Sequence, residues 1–373
     1  MIDEIPLYNQ PVVIDNGSAV VKAGFCGEEK PRCMEYSLIG DANYNKIMVG
    51  GLECDSFVGN KAQRLRGLLK LKHPMERGVV SDWDDMELLW SHILFDSLQL
   101  TSGMEHPLLI TEAPLNPESN KEKMLEVFFE TFNIPAICVS IPGVLSLYAS
   151  GRTTGCVVDC GEGYCSSVPV CEGYTLASSI KRINLGGIDV TKQLQFQLRK
   201  ESGVWLFSSG ERELVRTMKE KSCYVSLNQL KDEEKFTFEP GKMNTNFKLP
   251  DGNMLTLSKS RFRAPEILFQ PQIIASEEPS LPEMCLQSIL SVDVELRPRL
   301  MSRITLSGGT TMFRGFGDRF LQELQISTCK KSNIRILAPP ERKYTAWIGG
   351  SMLAGLTTFR KMLTTKSDWR EHH

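Results

Sequence analysis

Residues 156–170 read CVVDCGEGYCSSVPV. An apolar, β-branched run ends on one acid, Asp159. A Gly-Glu-Gly turn follows, and then a second run of small and β-branched residues. This is the pattern of two short strands around a glycine turn. Residues 12–25, VVIDNGSAVVKAGF, repeat the plan: Asp15 stands where Asp159 does, and Asn16-Gly17-Ser18 forms the turn. The simplest layout for one hairpin written twice, far apart in the chain, is two similar α/β lobes. Each would present its glycine turn to a shared cleft.

The surrounding pattern supports an α/β chain. Val12–Asp15, Leu108–Thr111, Ala136–Ser140, Val157–Asp159 and Ile304–Ser307 are short apolar runs. Several end in a turn or a small polar residue, as strands do when their C-terminal ends face a ligand. In 82–98, Met86, Leu89, Trp90, Ile93, Leu94 and Leu98 fall on one helical face, with Asp82 placed to cap it. In 120–132, Met124, Val127, Phe128 and Phe132 do the same, and Pro135 follows the end. Ser208 and Glu211 have capping-box spacing. Two stretches read as loops: Asn43–Cys54, which precedes a basic, helix-like run over Lys61–Lys72, and Gln270–Glu283, which carries the pair Ile273–Ile274. That pair is either an anchor or a plug for another molecule.

Glycine turns let backbone N–H groups converge into anion-binding nests. Asn16-Gly17-Ser18 and Gly161-Glu162-Gly163 both qualify, and two facing nests would clamp a polyphosphate. Asp15 and Asp159 beside phosphates imply a hard cation between them, Mg²⁺ with retained waters. Lys22, on the returning strand, can aim its ammonium at the same place. A third glycine turn, Leu306-Ser307-Gly308-Gly309-Thr310-Thr311, follows a strand and is expected to open a helix. No G-x-x-x-x-G-K-[ST] is present, so this is not a P-loop protein.

The 373 residues suffice for two lobes with sizeable cores. A net charge of -2 gives no global electrostatic case for nucleic acid or an anionic membrane. The 11 cysteines form no C-x-x-C, and the five histidines supply no zinc pattern. Reduced, buried thiols are expected. The N-terminal MIDEIPLYNQ lacks the order of a signal peptide, and no apolar run reaches the length of a membrane span. A soluble intracellular protein is expected.

At the hairpins the chain resembles the actin superfamily. VVIDNGSAVVKAGF is similar to the family's first phosphate loop, VVDCGEGYCSSVPV to its second and LSGGTTMFRGFGDR to its adenosine loop. HPMERGVVSDWDDME, EHPLLITEAPLNP, FETFNIPA, LSLYASGRTTG, SRFRAPEILFQP and APPERKYTAWIGGSMLAGLTTF extend the resemblance over residues from about 9 to 362. NQPVVIDNGS, GFGDR at Gly315–Arg319 and FRAPEILFQPQII are more similar to the centractin branch, the actin-related proteins of dynactin, than to conventional actin.

The resemblance implies an actin-like fold, shared with chaperones and sugar kinases, in which two α/β lobes flank a nucleotide cleft. The outer lobe would take 1–149 plus 345–373, with a small insertion at about 37–73. The inner lobe would take 150–344, with an insertion at about 187–276. It also implies ATP or ADP with Mg²⁺. Asp15 and Asp159 would hold the metal's waters. Asn16, Gly17, Ser18, Lys22, Asp159, Gly161, Glu162 and Gly163 would meet the phosphates. Gly187, Arg216, Lys219, Glu220, Gly308, Gly309, Thr310, Met312 and Lys343 would line the nucleoside pocket. Asn43–Cys54 would insert into the next subunit of a filament, and Ile273–Ile274 would be the hydrophobic plug.

The chain departs from the family where water is positioned. A glutamine two residues before VLSLY is here Pro142, which has no side-chain donor or acceptor and no N–H. A histidine on the second hairpin is here Ser166, an aspartate of its turn is Glu162, and the histidine of the HPMERG segment is Arg77. The C-terminal stretch beyond Lys366–Trp369 also leaves the family pattern. Phosphoryl transfer to water rests on positioning and electrostatics. The resemblance therefore implies a chain that holds nucleotide and hydrolyses it slowly or not at all. Its expected role is a subunit of a short filament within dynactin, with itself, other dynactin subunits, dynein and cargo adaptors as partners. No contact with nucleic acid and no membrane insertion are expected, and its place would be the cytoplasm and cytoskeleton. A divergent conventional actin with active ATPase-driven polymerisation is the alternative. A chromatin-remodelling actin-related protein fits less well, since no large insertion is evident, and a sugar kinase or chaperone less well still.

Overall fold

The computed structural model describes residues 9–42, 56–101, 105–328 and 333–372. The expected insertion loop Asn43–Cys54 lies outside the described residues.

The duplicated hairpins become the centres of two sheets. The first sheet runs, in spatial order, Thr364–Thr365, Ala136–Ser140, Leu108–Thr111, Val12–Asn16, Val20–Phe25 and Cys33–Tyr36. The second runs Tyr174–Thr175, Cys165–Cys171, Gly155–Cys160, Ile304–Ser307 and Ile336–Leu337, and Lys181–Ile183 also pairs with Cys165–Cys171. The registers repeat as well. Asn16 faces Val21 and Asp15 faces Lys22 across the first hairpin; Cys160 faces Cys165 and Asp159 faces Ser166 across the second. Each first strand has a parallel partner on its other side, Leu108–Thr111 or Ile304–Ser307. All five strands expected from the sequence are present, within a residue or two of the expected ends.

Burial follows from strands covered on both faces by helices. One face of the first sheet packs Ile14, Ile110 and Ile137 against Met86, Trp90, Ile93, Met124 and Phe128. The other packs Val13, Leu109 and Cys138 against Leu145, Trp347 and Leu353. The second sheet's largest cluster joins Val158 and Leu306 to Leu194, Met218, Ile267, Met284, Phe316 and Phe320. Two helices link the sheets: Pro142–Ala149 leads from the first to the second, and Thr345–Ala354 leads back. They touch backbone to backbone, and a Cβ built at Gly349 would stand 1.8 Å from the Leu145 carbonyl oxygen. No helix among the described residues is long and apolar enough to cross a membrane.

The helix signals hold with adjustments. Asp82 caps Trp83–Ser91 by accepting from the Asp85 N–H. Ser208 and Glu211 close a capping box on Ser209–Ser222. The first two helices end earlier than their apolar faces: Trp83–Ser91 and Glu118–Glu126 each pass into a π-helical turn, His92–Ser97 and Val127–Thr131. There Phe95 and Phe132 pack ring to ring, with centroids 6.1 Å apart. The helix-like run Lys61–Lys72 is a correction. Only Gly59–Arg64 is helical, and Leu69–Lys72 is a strand whose buried leucines alternate with exposed lysines. The stretch Gln270–Glu283 is less loop-like than its prolines suggest. Pro271–Ile274 is a 3₁₀ turn and Ser280 already caps the helix Leu281–Leu290. The nine cysteines among the described residues are free and mostly buried, and burial pushes Cys138 up to about 11 and Cys223 up to about 12.

Candidate nucleotide cleft

The two hairpin turns meet across a cavity of about 530 Å³, within the range of small-molecule sites. From the first hairpin Asp15, Asn16, Gly17, Ser18 and Lys22 line it; from the second, Asp159, Gly161, Glu162 and Gly163. Helix Ser209–Ser222 adds Arg216, Lys219 and Glu220. The third glycine turn adds Gly308, Gly309, Thr310 and Met312, and Lys343 comes from just before helix Thr345–Ala354. The third turn opens a short 3₁₀ segment, Gly309–Met312, rather than the expected helix; the helix begins at Phe316. Gly308 holds φ +89°, and a Cβ there would meet the Cys160 carbonyl oxygen at 2.2 Å, so the close approach of this turn to the second hairpin needs glycine.

The turns carry unused donors. The amides of Ser18 and Ala19 in the first, and of Glu162 and Gly163 in the second, have no protein acceptor among the described residues. All four residues line the cavity. Turn N–H groups that meet a cavity without a protein acceptor are free to bind an anion, and these four suit one.

Each aspartate is held by the strand beside it. The Thr111 hydroxyl donates to Asp15 Oδ1 at 3.0 Å and receives the Asn16 N–H at 2.8 Å. Ser307 is the register partner of Asp159 on its parallel strand, and its hydroxyl favours the charged carboxylate. Ser307 in turn lies 2.9 Å from Ser146 and 3.3 Å from Thr345, on the two linking helices. Lys22 Nζ is 2.5 Å from Asp15 Oδ2, so its ammonium neutralises that carboxylate rather than standing free. Asp159 lacks such a partner. Burial pushes its pKa from 3.8 to about 6, with the Asp15 charge adding to the rise. Two buried carboxylates lining one cavity suit a cation. Among the described residues no group of three or more His, Cys, Asp or Glu could hold a metal alone. That fits Mg²⁺, which keeps waters and uses one or two carboxylates plus phosphates.

Two expected residues do not reach the wall. Gly187 lies behind it: its N–H donates to Gly161, its carbonyl accepts from Lys219 Nζ at 2.8 Å, and a Cβ there would meet Glu162 Oε2 at 2.2 Å. Glycine is needed for packing there, not for ligand contact. Ser166 is 1% exposed and absent from the lining. Pro142 does line the cavity. Thr111 and Ser307 were missed as site residues. Their signal was the hydroxyl that ends each parallel strand, in LLIT and ITLS.

Arg77 bridges the lobes. It sits at φ 51° in a tight turn with Gly78 at φ 78°, between strands Met75–Glu76 and Val79–Val80. Its guanidinium donates to the Gly163 carbonyl at 3.0 Å and to both Asp189 oxygens at 2.5 and 2.8 Å. Arg182 answers from the other lobe, donating to the carbonyls of Pro114 and Arg77.

The actin family model matches residues 7–206 and 205–373. The chain belongs to the actin family. It is 59% identical over 369 residues to a centractin of Saccharomyces cerevisiae, covering 99% of this chain and 96% of that one. It is 48% identical to an actin-like protein of Neurospora crassa, over 98% of this chain and 97% of that one. It is 47% identical to a centractin of Schizosaccharomyces pombe, over 97% and 95%. The two-lobed actin-like fold and the likeness to centractins expected from the sequence are both borne out, and conventional actin is not favoured.

Proposed function

We propose that this chain is an actin-related filament subunit of dynactin, and that its cleft holds ATP or ADP with Mg²⁺ mainly as a structural ligand. In this reading Asp15 and Asp159 hold the hydrated metal, which neutralises phosphate charge. The free amides of the two turns, with Lys22, hold the phosphates. Arg216, Lys219, Glu220, Thr310, Met312 and Lys343 surround the nucleoside. The lobes divide as the resemblance implies, 1–149 plus 345–373 against 150–344. Nucleotide ties them together and stabilises the fold by mass action. The assembled chain works in the cytoplasm and cytoskeleton. It supports dynein-driven movement on microtubules, spindle orientation and nuclear migration through other dynactin subunits and cargo adaptors. It contacts neither nucleic acid nor the membrane interior.

The observation that carries the reading is the cavity between two duplicated turns, with orphan amides and paired aspartates, in a chain this similar to centractins. Slow hydrolysis is supported by Pro142 on the cavity wall and by Ser166 buried away from it. Purification of the native assembly tests both parts. Dynactin subunits should co-purify, and single-turnover phosphate release should be far slower than from conventional actin in parallel. Co-purification with a chromatin-remodelling ATPase refutes the first part, and actin-like release refutes the second.

A further inference from the structure

Tyr164 closes the second glycine turn, and the nucleotide roles above leave it unused. It is 9% exposed and lines the cavity with Asp15, Lys22, Pro142 and Asp159. Its ring is fixed from both lobes. Gly78 of the tight turn lies against it so closely that a Cβ there would be 2.5 Å from a ring carbon, and that Cβ would also meet the Ala113 side chain at 2.9 Å. The Arg182 guanidinium sits 4.7 Å from the ring centroid, itself anchored on the Pro114 and Arg77 carbonyls. The hydroxyl has no hydrogen-bond partner among the described residues and is not one of the polar atoms sealed from solvent.

A tyrosine hydroxyl open to a cavity, with no protein acceptor, bonds water until a ligand replaces it. Here the ring is held in place, so the hydroxyl stays available to a ligand in the cavity. The neighbours indicate its chemistry. Lys22 and the orphan amides favour an anion, and a phenol is a neutral donor at neutral pH. We propose that Tyr164 is a phosphate-positioning residue, donating its hydroxyl to the terminal phosphate of a nucleoside triphosphate in the cleft. This rests on the nucleotide-binding reading above. A donor to phosphate oxygen holds the uncleaved group and does nothing to orient an attacking water. It would therefore make the cleft prefer triphosphate over diphosphate without restoring what Pro142 and Ser166 lack.

Displacement of a fluorescent ADP analogue from the full chain, after exchange of its nucleotide, gives affinities for ADP, ATP and ADP with beryllium fluoride. Tyr164→Phe keeps the ring and removes only the hydroxyl. It should weaken ATP and ADP–beryllium fluoride by about tenfold, the scale of one hydrogen bond to a charged group, and so lower the ATP-to-ADP affinity ratio by the same factor. An unchanged ratio overturns the proposal while leaving nucleotide binding intact. Failure of the unmutated chain to bind any adenine nucleotide overturns the underlying reading instead. Tyr164→Val removes ring and hydroxyl together and should lower thermal stability as well. If Tyr164→Phe matches it, with ADP and ATP weakened equally, the hydroxyl serves the fold rather than the terminal phosphate and the proposal fails.

Discussion

Asp15 and Asp159 occupy the same register position in two copies of one hairpin, yet their chemistry differs. Asp15 faces a lysine across its hairpin, and Asp159 faces a serine. The unpaired, buried Asp159 therefore keeps its proton to about pH 6, where an unfolded aspartate would lose it near 3.8. Between those values the folded chain holds a proton that the unfolded chain has released. Nucleotide-free stability then falls as pH rises through that window and stays lower above it, by a limit on the order of 3 kcal/mol. Asp159→Asn should flatten this slope and raise the melting temperature of the nucleotide-free chain at pH 7.5. It should also reduce the extra stability conferred by Mg²⁺ with nucleotide. Calorimetric melts from pH 4 to 8, with and without ligand, check both signs; an unchanged slope would mean that Asp159 ionises freely in the fold.

At the scale of elements, the linking helices Pro142–Ala149 and Thr345–Ala354 decide how closely the two sheets approach. Apolar pattern marks both as buried, since neither has a polar face. It does not show that Gly349 is where they cross. Gly349→Ala would press a methyl group into the Leu145 carbonyl and should cost on the order of 3 kcal/mol. Chemical denaturation measures it, and a loss below about 1 kcal/mol, the cost scale for volume changes that a core absorbs, would show that the helices can separate easily. Because Ser146 and Thr345 on these helices contact Ser307, which holds Asp159, the same substitution should also weaken nucleotide binding. Elsewhere local signals sufficed: Asp82 and the Ser208–Glu211 box cap helices as their spacing says. The Lys61–Lys72 run misled because its basic residues mask an alternating strand, whose leucines pack with Leu38 and Phe57 in a three-stranded sheet that sequence alone does not reveal.

For the whole molecule, assembly should depend on surfaces that the fold leaves open. Ile273 and Ile274 are 47% and 36% exposed on a 3₁₀ turn, which favours the plug over the anchor among the two expectations. Ile274→Asp should leave the monomer's melting temperature within about 1 °C, as surface substitutions usually do, and should abolish filament formation in sedimentation and electron microscopy. Filaments of normal length from this variant would remove the pair from the assembly surface.

Much of this protein is determined by the sequence itself. The two hairpins, their apical aspartates, the helix caps and the family all rest on near neighbours in the chain, because strand alternation, turn glycines and caps are local physics. What the tertiary structure decided is which side chains reach the cleft. Ser166 and Gly187 stand within a few residues of lining groups but do not reach the cavity: Ser166 is buried in the fold, and Gly187 is packed behind Glu162 and Lys219. Thr111, Ser307 and Tyr164 reach the site because elements distant in sequence are packed beside it: a parallel strand for each aspartate, and a glycine of the other lobe for the tyrosine ring. Exposure and partnership at such positions depend on nonlocal packing, which no window of sequence contains.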